Sequence, residues 1–342
     1  MSADTLTQHT STWPGQLRAS RRSGRLAGPV RSAVILIVVL AVFTVRAPNF
    51  ATTTNTSSLL AFAVPAVLVA IGQTFVIALG EIDLSVASVG ALAGIVLIVN
   101  EPHGLLVAIP AALATGLLAG LFNGVVTALL RVPSLVSSLA MLFIAQGVSY
   151  MVASKPINGT RLDLTENLDR ALGSVLTVRI VIGTVIFIVL AVAFGATRWG
   201  RSLVARGANP RAVRLLGLPD ARPVIICFAL SGTLAALAGM VTAIGLNSAS
   251  PVVGGDLLLL GIAACLIGGS RLEGGTGSVV GTTVALLALL ALQNGMDQTG
   301  VSAYVQQVIR GAVVLVALLA AAPASAGGLR LDPRLTPWRR RA

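Results

Sequence analysis

The side chains able to do chemistry are few in these 342 residues, and their spacing excludes most enzymes. The one lysine, Lys155, follows Ser154, and no Gly-Lys-Ser/Thr run exists, so the chain has no phosphate-cradling loop of the ATPase kind. Two histidines, His9 and His103, lie far apart and outside any His-Glu-x-x-His frame, which removes zinc-hydrolase chemistry. No Gly-x-Ser-x-Gly elbow is present. Cys227 and Cys265 sit inside apolar runs without Cys-x-x-Cys spacing and read as small buried hydrophobes. No catalytic residue, metal site or cofactor is expected.

The ionisable groups that could couple transport to an ion gradient are also scarce. Glu81 and Asp83 stand at a break between two apolar runs, Asp256 and Glu273 at run ends, and Arg310 early in the last run. An ionisable group deep in a span costs about 2.5–3.5 kcal/mol or more and marks an ion path. None of these lies deep in a long run.

Composition says what must position such residues. Apolar residues make up 55% of the chain, charged residues only 11%, and mean hydropathy is +0.91. Soluble domains carry about 25% charge. A bilayer core of about 30 Å takes roughly 20 helical residues. Stretches free of Asp, Glu, Lys and Arg run 32–45, 47–80, 84–100, 104–130, 132–154, 180–197, 223–255, 257–270, 274–296 and 311–329. The expected fold is therefore all-α: a polytopic transmembrane helix bundle of about ten spans, without the alternating pattern of a β-barrel.

Net charge is +12, and arginine collects at Arg18–Arg31, Arg198–Arg222 and Arg330–Arg341. These clusters flank apolar runs, so they read as topology signals and not as a nucleic-acid face. An even span count places all three on one side and both termini in the cytoplasm. Residues 1–31 are expected to be a disordered basic cytoplasmic tail, 32–325 the transmembrane domain with a cytoplasmic loop at 198–222, and 326–342 a second basic tail.

In that loop Asn209 is a favoured N-cap, Pro210 a favoured first helical residue, and Gly217 a left-handed stop. A two-turn helix over 210–216 is expected: Pro210, Arg211, Ala212, Val213, Arg214, Leu215 and Leu216. Two turns are not stable alone. The helix either lies on lipid headgroups or its own bundle, or is a peg for a soluble partner, inserted helix-in-groove.

Four ordered motifs carry a resemblance. Gly72–Gly94 contains Gly80-Glu-Ile-Asp-Leu-Ser-Val-Ala-Ser88. It is followed by Asn123-Gly124 leading to Arg131-Val-Pro-Ser134, by the 200–251 segment ending Asn247-Ser-Ala-Ser-Pro251, and by Ile267–Gly281 with Asn294-Gly295 beyond. Over residues 33–322 the chain resembles the permease subunits of monosaccharide ABC importers, the ribose/xylose/autoinducer type. Ala87 stands where that family commonly has Gly, and Gln146 where an Arg is frequent. The resemblance implies a multi-pass protein of the bacterial inner membrane that passes a monosaccharide or small polyol by alternating access. It implies a cytoplasmic ABC ATPase docking on loop 198–222, an extracytoplasmic sugar-binding protein, and a second permease copy or paralogue, all within membrane lipid. The alternative is a stand-alone ion-coupled carrier or facilitator.

Asp83 can cap the following helix through the amides of Ser85 or Val86, or act in gating. The amides Gln73, Asn123, Gln146, Asn247 and Asn294 can bond between helices or, with Asp83 and Ser85, line a sugar path. Gly268, Gly269, Gly274, Gly275 and Gly277 read as a tight cytoplasmic turn, since a phosphate cradle would need a preceding strand and a following Lys.

Overall fold

The computed structural model describes residues 14–215, 217, 220–252 and 254–321, with side chains from residue 28 onward except at 214, 320 and 321. The described chain is helical apart from short connections and one two-residue strand pair, Ile157–Asn158 with Ser248–Ala249. Ten of its helices are apolar. They are α1 (Pro14–Arg46), α2 (Thr53–Ala78), α3 (Val86–Asn100), α4 (Leu105–Ala128), α5 (Ser134–Val152), α7 (Val178–Ala196), α10 (Ala221–Leu246), α11 (Gly255–Ile267), α12 (Val279–Gln298) and α13 (Ala303–Ala321). The polar or short ones are α6 (Leu162–Asp169), α8 (Arg198–Ala208) and α9 (Pro210–Leu215). Eight apolar helices are long enough to cross a membrane, and α11 and α13 contribute shorter apolar stretches. The ten apolar runs thus map one to one onto helices.

Helix α2 is the central pillar: 83% of its most apolar window is buried inside the bundle. Helix α10 packs along α2, α3 and α4, while α11 and α12 close the other flank and α1 lies on α12. In lipid, helices gain little from hiding apolar surface, so close approach of small residues holds the bundle. Gly90 of α3 meets Gly239 of α10, and Gly116 of α4 meets Gly232 of α10, each backbone resting on the other. A Cβ on Gly239 would overlap the carbonyl oxygen of Gly90. Gly239→Val is therefore expected to lower the detergent melting temperature, costing about 1–3 kcal/mol by overpacking. Differential scanning fluorimetry of the purified chain checks it.

Helices α1 and α13 each start before the charge-free run that marks them, for a physical reason. Helix α1 begins at Pro14, inside the basic segment, because extending a formed helix costs far less than starting one. Arg31 then ties α1 to the end of α11: its guanidinium donates to the carbonyls of Leu266 (2.9 Å) and Ile267 (2.7 Å). Helix α13 starts at Ala303, eight residues before the charge-free run, since Arg310 is carried inside the helix by an ion pair with Asp256 (2.9 Å). Helix α11 has only 13 residues, about 20 Å, and reaches part-way through the bundle beside α2 and α12. The expected tail at 326–342 lies outside the described residues.

Candidate functional site

At one end of the bundle the segment after α7 folds back as α8 and α9. Thr197 caps α8, its hydroxyl accepting from the Gly200 amide (3.3 Å). Leu203 is fully buried, and Trp199 stacks on Phe75 of α2 with ring centres 5.3 Å apart. Sequence reasoning missed α8, although Gly200, Leu203 and Gly207 at three- and four-residue spacing lie on its buried face. Asn209 ends α8 and starts α9, its side-chain oxygen accepting from the Ala212 amide at 3.0 Å. Gly217 is left-handed, φ 69°, as a stop requires. Leu216 lies outside the described residues. On α9, Arg211 and Ala212 are exposed, Val213 is half-buried, and Leu215 is 89% exposed. The short helix α9, with its bare leucine, projects like a peg from α8, one face of which is buried.

Arg206 of α8 fastens this peg to the membrane domain. Its Nε donates to Asp220 (3.0 Å), and one terminal nitrogen to the Leu79 carbonyl (3.1 Å) and Glu81 (3.5 Å). Leu79 and Glu81 begin the link between α2 and α3. The glycine-rich turn locks beside them: the Gly275 amide donates to the Ala78 carbonyl (3.0 Å), and Gly274 and Gly275 have positive φ, 83° and 74°. It is a tight turn, and Gly207 of α8 lies against the same Ala78 carbonyl.

The α2–α3 link then dives into the bundle. The Ile82 amide donates to Ser134 (3.1 Å), and Ser138 donates to the Ile82 carbonyl (3.3 Å). Asp83, 2% exposed, accepts from the Ser85 amide (3.0 Å), the Ser85 hydroxyl (2.6 Å) and, on its other oxygen, the Ser231 hydroxyl of α10 (2.8 Å). Asn123 of α4 donates to Ser85 (3.0 Å), and its own carbonyl oxygen is buried without a partner. The expected contact between Asp83 and the Ser85 amide is present, but the carboxylate does more than cap: it ties the start of α3 to α10, and Ser85 extends the tie to Asn123 of α4.

The remaining path candidates are scattered. Gln73 is buried mid-bundle, donating weakly to the Leu258 carbonyl (3.4 Å) with its oxygen unpartnered. Gln146 is half-buried on α5. Asn247 ends α10 in a left-handed conformation, φ 45°, and clips the loop after α5 by exchanging bonds with Gly159 (2.9 and 3.2 Å). Asn294 exchanges amide bonds with Asn55 of α2 (2.9 and 3.0 Å). The structure thus brings Asp83, Ser85 and Asn123 together and leaves Gln73, Gln146, Asn247 and Asn294 apart. Asn247 lies at the end of the bundle opposite the peg, where the loop also holds Arg161 beside Asp163 (2.7 Å), whose carboxyl that guanidinium keeps below the usual carboxylate range.

A bundle with eight apolar helices long enough to span a bilayer is the architecture of a multi-pass membrane protein. A model of the family described as branched-chain amino acid transport system / permease component matches residues 55–318, and the chain belongs to that family. The ribose import permease protein RbsC of Escherichia coli K12 is 36% identical over 300 residues, covering 84% of this chain and 92% of that protein. The L-arabinose transport system permease protein AraH of the same strain is 32% identical over 312 residues, 89% of this chain and 94% of that protein. The ribose permease RbsC of Bacillus subtilis is 31% identical, covering 85% of this chain and 91% of that protein. The chain is a multi-pass permease subunit of an ABC importer in the bacterial inner membrane.

Proposed function

We propose that this chain is the conduit through which a monosaccharide, a pentose first of all, crosses the membrane by alternating access, driven by a separate cytoplasmic ABC ATPase. Both termini and the 198–222 loop face the cytoplasm, the ATPase seats on α9, and a sugar-binding protein delivers solute at the opposite end. A second permease copy or a paralogue completes the conduit. The observation that carries this reading is the peg: α9 projects Leu215 and Arg211 outward while Arg206 fastens its base to the α2–α3 link. Movement of α9 is thereby passed to Asp83, which ties α3 to α10. Two-state switching of a packed junction is the usual means of opening a path to one side at a time. The pentose preference rests on the relatives named for ribose and L-arabinose.

The test is assembly followed by uptake. Arg211→Glu with Leu215→Asp is expected to abolish co-purification of the ATPase while insertion into the membrane is unchanged, because both side chains point away from the bundle. Retained co-purification would remove the docking role from α9. Uptake of a panel of pentoses, hexoses and polyols by the reconstituted wild-type complex then identifies the solute.

A further inference from the structure

Helix α13 leans on α11 and α12 and leaves a crevice of about 650 Å³ between itself, α2, α11 and α12. Small-molecule sites run from about 300 to 1,000 Å³. The crevice reaches Asp256 at the start of α11 and Asp297 near the end of α12. The opposite end of α11 runs into the glycine-rich turn beside the peg. The mouth therefore opens at the end of the bundle away from the peg, where an importer receives its solute.

The lining is mixed in a specific way. Phe62 of α2 is 67% exposed, whereas α2 is buried from Ala63 onward. Across from it Asp256 accepts from Arg310 on one oxygen only, and its side chain is 84% exposed, so its second oxygen carries no bond from the described residues. Arg310 has five N–H donors and spends one of them on Asp256. A guanidinium inside an apolar helix is costly and points to function. Gln293 and Gln307 add two amides with no bonds to the described residues, and the floor is aliphatic: Leu260, Leu289 and Val313. An aromatic face, an acceptor and a donor of opposite charge, and free amides suit a neutral polyhydroxylated ring. Asp256 and Arg310 cancel, and Asp297, which accepts from the Gln306 amide (2.7 Å), leaves the lining one net negative charge; a lipid tail gains nothing from these groups.

Resting on the sugar-conduit reading, we propose that this crevice is the solute-receiving site of the permease, taking a monosaccharide with its C–H face on Phe62 and its hydroxyls on Asp256 and Arg310. The sugar's hydroxyls donate to the free Asp256 oxygen and accept from the unspent Arg310 donors. Aromatic residues are only 4% of the chain, so one ring set bare at a polar mouth is a feature to explain.

The experiment uses the full complex of permease, ATPase and binding protein in proteoliposomes. The probe is the sugar that the uptake panel selects. Asp256→Asn and Phe62→Ala are expected to cut ATP-driven uptake about tenfold or more, the loss that follows from removing a charged hydrogen-bond partner. Both side chains are exposed, and monodisperse elution of each variant excludes misfolding. In Phe62→Cys, a membrane-impermeant thiol reagent reads the site directly, because Cys227 and Cys265 are buried. Labelling is expected to slow when the sugar is supplied with its binding protein and to be unaffected by an amino acid. Equal labelling with and without sugar, or blockage that only delipidation relieves, overturns the crevice as a sugar site. Near-normal uptake by Asp256→Asn overturns the role of the pair. A wild-type complex that imports no sugar at all defeats the conduit reading instead, which keeps the two failures apart.

Discussion

Asp83→Ala is expected to abolish uptake and to destabilise the chain by about 2–5 kcal/mol. The carboxylate takes three donors: the Ser85 amide, the Ser85 hydroxyl and the Ser231 hydroxyl. Removing it orphans these buried donors, each costing about 1–3 kcal/mol, part of which a rotated hydroxyl recovers. It also cuts the bond to Ser231 through which motion of the α2–α3 link is proposed to reach α10. Asp83→Asn separates the two effects. The amide oxygen keeps the Ser85 bonds, and the amide nitrogen can donate to Ser231, whose hydroxyl also accepts. Stability should then fall by only about 1 kcal/mol. Uptake per ATP hydrolysed should still drop, because a charge-assisted junction has become a neutral one, roughly half as strong. Melting temperature and uptake, measured together on both variants, check this. A normal uptake rate in Asp83→Ala would show that the junction is not on the transport route.

What the sequence shows of this machinery divides by range. The cap Asn209, the first helical Pro210 and the stop Gly217 act within a few residues of themselves, so the peg can be read directly. The contact of Asp83 with Ser85, two residues on, is equally local. Its third donor, Ser231, lies 148 residues away in a helix apolar on every side. Such a helix has no polar stripe to say which face turns inward, so periodicity gives no phase. The same blindness scattered the amide candidates: Asn294 found Asn55 and Asn247 found Gly159, neither partner being near in sequence. Arg310 misled differently. A rule that ends spans at charges excludes a residue whose counter-ion, Asp256, comes from another helix.

Arg206→Ala is the second large effect, and it tests whether the peg is a lever or only an anchor. Arg206 is 9% exposed and serves Asp220, Glu81 and the Leu79 carbonyl. Removing one partner of a buried charged cluster costs about 3–5 kcal/mol, because the others are left uncompensated. Here the carboxylates keep some water, with side-chain exposures of 21% for Glu81 and 25% for Asp220, so about 2–3 kcal/mol is expected. The surface of α9 proposed to meet the ATPase is untouched, so co-purification should survive. Transport should not: uptake is expected to fall at least about tenfold while the assembled complex still hydrolyses ATP, a coupling loss of roughly 1.4 kcal/mol or more. Arg206→Lys discriminates further. An ammonium is a point charge without the planar fork, so it can hold one carboxylate or the carbonyl but cannot reproduce the spread of all three. An intermediate ratio of sugar moved to ATP hydrolysed in that variant assigns the coupling to geometry, whereas full restoration by Lys assigns it to charge alone. If Arg206→Ala loses the ATPase altogether, α8 is an anchor, and the route from α9 to Asp83 runs through the backbone contact of the Gly275 amide with the Ala78 carbonyl instead.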